Sequence, residues 1–156
     1  MKKIISIALI TLTIFLIYFF NKDEEIYLLS LGILDEPSYV DNIDIQLEQK
    51  IIINKNLNQI LEDIKNNKNI QNHTMKNHLV KADIIIINIY SKNENINELI
   101  NEIKKISKEK IILIGHKTNE NIKISRKYEL ELIDKELGNK NIYDYLNQIM
   151  KENNIL

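Results

Sequence analysis

The sequence has no cysteine and no tryptophan, one proline and three glycines in 156 residues. Without cysteine there is no disulfide, no thiolate nucleophile, no cysteine-ligated zinc and no iron–sulfur cluster. Three scattered glycines cannot build a glycine-rich phosphate cradle, which weighs against a nucleotide cofactor. A large charge of one sign is also missing: 21 basic residues meet 22 acidic ones, for a net charge of −1. Recognition of nucleic acid through bulk positive charge is therefore not expected. Arg126 is the single arginine, while isoleucine and asparagine are heavily used. The length is that of one domain.

What is present begins with an apolar run. Lys2 and Lys3 precede residues 4–20, interrupted only by Ser6, Thr11 and Thr13. The run is at the short end of the roughly 17–25 residues a helix needs to cross a bilayer. It closes on Tyr18, Phe19 and Phe20, bulky where a signal-peptide cleavage site wants small side chains. Residues 1–20 thus read as a signal-anchor transmembrane helix, followed by a linker at 21–25 and a domain at 26–156. A cleaved signal peptide and a buried core helix are the alternatives. Two lysines flank the run on its N-terminal side, whereas Lys22 faces Asp23, Glu24 and Glu25 on the other. The positive-inside tendency then keeps the N-terminus cytoplasmic and exports the domain, giving a single-pass cell-membrane protein with an extracytoplasmic C-terminal domain.

Five apolar runs in the domain have strand length: Ile26–Leu31, 51–53, Ile84–Ile89, 111–114 and roughly 128–133. The runs at Ile84–Ile89 and 111–114 are continuous and β-branched, the habit of parallel strands covered on both faces. Helical spacing links Leu57, Ile60, Leu61 and Ile64; then Ile96, Leu99, Ile100, Ile103 and Ile106; then Ile142, Tyr145, Leu146 and Ile149. A weaker helix is expected over 38–48, just after Pro37. Alternation of strand and helix predicts an α/β fold with a parallel sheet and right-handed crossovers. Ligands of such sheets bind beyond the strand C-termini, so the segments of interest are 32–37, 54–58, 90–95, 115–121 and 134–139.

The order of motifs resembles the SGNH (GDSL-type) hydrolases, esterases and lipases. It runs from an anchor into Ile26-Tyr27-Leu28-Leu29-Ser30-Leu31-Gly32, then Lys81-Ala82-Asp83 with its isoleucine strand, then Lys110-Ile111-Ile112-Leu113-Ile114-Gly115, and closes on Asp134-Lys135-Glu136-Leu137-Gly138. The resemblance spans most of residues 25–150 and rests on pattern and order. It implies a three-layer α/β sandwich with a mostly parallel, flavodoxin-like five-stranded sheet. It also implies a serine nucleophile in Gly-Asp-Ser, where this chain has Gly32, Ile33 and Leu34. The oxyanion glycine after the second strand corresponds to Asn54. The asparagine after the third strand corresponds to Asn93 if one residue is inserted, and to Lys92 otherwise. The closing Asp-x-x-His corresponds to Asp134 and Leu137, so the aspartate stays and the histidine is lost. Ester hydrolysis by this route needs an oxygen nucleophile and a base, and leucine supplies neither.

Other residues are set against that loss. Ser91, at a strand end, and His116, after Gly115, are the two candidates for a displaced catalytic group, with a loop hydroxyl and a capping or surface histidine as the plainer readings. Ser30 reads as a strand hydroxyl and Ser38 as a helix cap. His73 and His78 stand five apart, not the four of a zinc-binding helical pair, and read as solvated or loop residues. Asp23-Glu24-Glu25 and Asp35-Glu36 read as solvated charge, because tandem carboxylates do not converge on one point and no glycine-bearing calcium loop is present. Tyr39 and Tyr90 sit near the expected site edge, and Tyr145 reads as core. No metal and no cofactor are expected. The expected function is a catalytically inactive SGNH-like domain that binds an envelope glycan, lipid or protein. The alternatives are an active esterase with displaced residues and an unrelated small α/β interaction domain.

Overall fold

The computed structural model describes residues 26–33, 47–89 and 95–152. In chain order these form β1 (Ile26–Leu31), β2 (Leu47–Ile53), α1 (Leu57–Lys65), β3 (Asn69–Ile70), β4 (His73–Thr74), α2 (Met75–Lys81), β5 (Ile84–Ile89), α3 (Ile96–Ile106), β6 (Lys110–Gly115), α4 (Asn119–Tyr128), β7 (Glu131–Asp134), a 3-10 turn (Lys135–Leu137) and α5 (Gly138–Glu152). Five strands pair in parallel in the order β2-β1-β5-β6-β7, and β3 and β4 make a separate two-residue antiparallel pair.

The isoleucine strands are buried on both sides because successive side chains point to opposite faces. Ile85, Ile87 and Ile89 of β5 pack with Leu29 and Leu31 of β1 and Leu113 of β6 under apolar residues from α1 to α4. Ile84 and Ile86 pack with Leu28, Ile112 and Ile114 against Ile142, Leu146 and Ile149 of α5. Helices therefore cover both faces, which is why the strands carry no polar alternation. Asn56, Thr74 and Thr118 cap α1, α2 and α4, each side-chain oxygen accepting an amide three residues on.

Several expectations shift. The strand expected at 128–133 begins at Glu131, because Tyr128 completes α4 and Glu129 turns the chain in the left-handed region at φ 55°. The last two residues of the helix expected over 38–48 belong instead to β2, where Leu47 pairs with Ile26; its remainder, 38–46, lies outside the described residues. α2 and α4 appear where no helix is expected. Among the described residues no helix is long and apolar enough to cross a membrane. The apolar run at 4–20 and the linker at 21–25 lie outside those residues.

Candidate functional site at the strand C-termini

The chain leaves β1 for β2 on one side and returns from β2 to β5 on the other. This reversal opens a crevice at the C-terminal ends of β1 and β5, the usual ligand position in an open parallel sheet. Its floor is polar. Asn88, 2% exposed in an otherwise isoleucine strand, donates through Nδ2 to Ser30 Oγ at 3.1 Å and to the Leu31 carbonyl at 2.9 Å. Ser30 is fully buried, as expected of a strand hydroxyl and not of a nucleophile. Gly32 follows at φ 111°, and a Cβ there would lie 2.7 Å from the Asn88 carbonyl oxygen. The Gly32 amide donates to the Ile53 carbonyl at 3.2 Å, and the Lys55 amide to the same oxygen at 3.0 Å. These two N–H groups are thus unavailable to an incoming oxyanion. Asn54 is exposed in this loop.

A second group forms at the ends of β6 and β7. Gly115 pairs with Asp134 in the ladder, which sets His116 beside the start of the 3-10 turn. His116 Nδ1 lies 3.3 Å from Glu136 Oε1. Donor atoms of His116, Asp134 and Glu136 all lie within 4.8 Å of one another. The His116 backbone is held: its carbonyl accepts the Thr118 amide at 2.8 Å and Asn121 Nδ2 at 2.8 Å. Asp134 Oδ1 accepts the Glu136 amide at 3.1 Å and so caps the turn. Leu137, the last residue of that turn, is 48% exposed.

The sequence-expected residues therefore divide. His116, Asp134 and Leu137 meet at one edge, and Asn54 stands after β2 on the same edge. Leu34, Ser38, Tyr39, Tyr90, Ser91 and Asn93 lie outside the described residues, as do the carboxylates Asp23, Glu24, Glu25, Asp35 and Glu36. His78 corrects the solvated reading: it is fully buried. Its Nε2 donates to the Ile70 carbonyl at 2.8 Å, which leaves Nδ1 to accept the Tyr27 hydroxyl at 2.5 Å. His73 packs edge-on against its ring at 5.6 Å. Burial pushes the Tyr27 hydroxyl above its ordinary range. Tyr145, expected in the core, is 40% exposed and donates to Glu131 at 2.6 Å. Glu136 lies in the expected segment 134–139 without having been singled out, and Asn88 was not expected at the site. An asparagine inside an isoleucine run is the one signal that points to the latter.

Chemically, the edge offers an imidazole close to two carboxylates and a buried amide–hydroxyl floor. Among the described residues no serine hydroxyl is exposed there: Ser107 is buried where α3 ends, and Ser125 donates to the Ile122 carbonyl within α4. An open cavity of about 500 Å³ lies at the other end of the sheet, before β6 and β7. Lys104, Lys108 and Lys110 line it together with Glu109, Glu129 and Glu131. The mixed signs and the Lys110–Glu131 ion pair at 3.3 Å leave little field for a charged ligand. No family model matches the chain, and neither a curated protein nor a solved structure does.

Proposed function

We propose that the chain is a membrane-anchored, exported SGNH-like domain that acts by binding an envelope glycan, lipid or protein at the strand C-terminal edge, and not by ester hydrolysis. The observation that carries this reading is the end of β7. Asp134 is present, but its carboxylate caps the turn through the Glu136 amide. Leu137, 48% exposed, follows where the resemblance calls for the histidine base. A leucine moves no proton, so the position that the resemblance gives to the base cannot serve in ester hydrolysis, and its exposed apolar side chain can contact a ligand at this edge. The sheet supports the same reading. Counting only its own strands, the order is 2-1-3-4-5, the flavodoxin-like arrangement, and helices on both faces fit a three-layer sandwich. The apolar run at 4–20 supports the anchor.

A second reading has one observation in its favour. His116 stands beside Asp134 and Glu136, with Nδ1 3.3 Å from Glu136 Oε1, and a relocated general base in an active esterase calls for an imidazole with such a carboxylate partner.

Site-specific photocrosslinking in intact cells tests the binding reading. A photoreactive residue at position 137 is expected to capture envelope material more strongly than one at Lys108, which is exposed at the opposite end of the sheet. Equal capture at both positions, or none at 137, contradicts it.

A further inference from the structure

We propose that His116, Asp134 and Glu136 form a binding site for one divalent transition-metal ion of the zinc type. The donors come from two adjacent strand ends and already lie within 4.8 Å of one another. A zinc ion holds nitrogen and oxygen donors at about 2.0–2.2 Å, which sets neighbouring donors roughly 3–4 Å apart. His116 Nδ1 and Glu136 Oε1 have that spacing at 3.3 Å, and small rotations of the exposed Glu136 and half-buried His116 side chains bring both toward the half-buried Asp134 carboxylate. The backbones beneath are fixed, His116 through the Thr118 and Asn121 hydrogen bonds to its carbonyl and Asp134 through its ladder pairing with Gly115, while Asp134 Oδ1 caps the turn and Oδ2 is the oxygen offered to the ion. Side-chain rotation is therefore all that closure demands.

The donor set selects the ion. Magnesium and calcium favour all-oxygen shells, whereas an imidazole nitrogen suits zinc and its neighbours. Two carboxylates neutralise a doubly charged ion. The His116 and Glu136 side chains are 43% and 75% exposed, so water can complete the coordination, and the ion can present an open position to a ligand. Bound there, it would sit on the same edge as Leu137 and give the binding surface an electrophilic centre. The ion site does not depend on whether the chain hydrolyses esters.

The test is zinc affinity of the untagged full chain in detergent micelles, read by competition with a chromophoric chelator. One saturable site per chain is expected, unchanged by excess magnesium. His116→Ala and Glu136→Gln are each expected to weaken it by at least about tenfold, while His73→Gln leaves it unchanged. Circular dichroism of each variant establishes that it is folded. Absence of saturable zinc binding by the folded wild-type chain overturns the proposal, as does wild-type affinity in folded His116→Ala. Because the readout is metal affinity, its failure is distinguishable from any result on ester turnover.

Discussion

Asn88 shows how one residue joins the fold to its edge. Its amide occupies the place of an isoleucine and holds both Ser30 and the Leu31 carbonyl. Replacing it by leucine leaves those groups buried without that donor, at a cost of about 1–3 kcal/mol in a denaturant melt. Gly115 is constrained more severely. A Cβ there would lie 2.4 Å from the Ile89 carbonyl oxygen, so Gly115→Ala is expected to destabilise by about 1–3 kcal/mol through forced displacement of β6 from β5. Tyr27 carries the pH dependence. Its folded-state pKa is raised by burial, so the native state keeps a proton that the unfolded chain releases. Stability is then complete below the ordinary tyrosine range and falls as pH rises through it. Tyr27→Phe is expected to flatten that alkaline decline while leaving His78 Nδ1 without its donor, and melts between pH 8 and 11 check both effects. Asn88 interrupts an apolar run that otherwise reads as continuous, a signal present in the sequence but outweighed there by the isoleucines around it. Burial of His78 was not legible, because its partner Tyr27 is 51 residues away and nothing local announces it.

At the scale of elements, legibility followed the strength of the apolar pattern. β1, β5 and α3 have the expected bounds, since continuous isoleucine or a sustained helical stripe leaves one solution. α2 and α4 went unexpected because each buries few large apolar side chains: Met75 and Leu79 in α2, Ile124 and Tyr128 in α4. Their caps, Thr74 and Thr118, were the available signal. The end of α4 also explains the misplaced start of β7. Glu129 adopts φ 55° without being glycine, so the sequence carries no glycine stop there. Glu129→Gly relieves that strain and is expected to stabilise the fold by about 1 kcal/mol, measured as a rise in the denaturation midpoint. The same substitution inside α4 would destabilise it.

Across the whole molecule, composition and alternation gave the class of fold, a parallel sheet between helices, but not the strand order. Periodicity reports which faces are apolar and is silent on which strands are neighbours. The site shows the same division. His116 and Asp134 are both visible in the sequence, but their meeting depends on the Gly115–Asp134 pairing of β6 with β7, and Glu136 joins them only through the turn that follows. On the proposal that residues 1–20 anchor the chain, the full chain is expected to remain with the membrane fraction through high-salt and alkaline washes and to leave it with detergent. A chain lacking residues 1–20 that stays membrane-bound would place the attachment elsewhere. The central claim is that the strand C-terminal edge binds and does not hydrolyse. The most direct measurement is turnover of short acyl nitrophenyl esters by the purified full chain in detergent, with His116→Ala measured beside it. Rates no higher than the micelle background for both are the expected result. Turnover by the wild-type chain that disappears in folded His116→Ala would contradict the claim and make His116 the base of a working esterase.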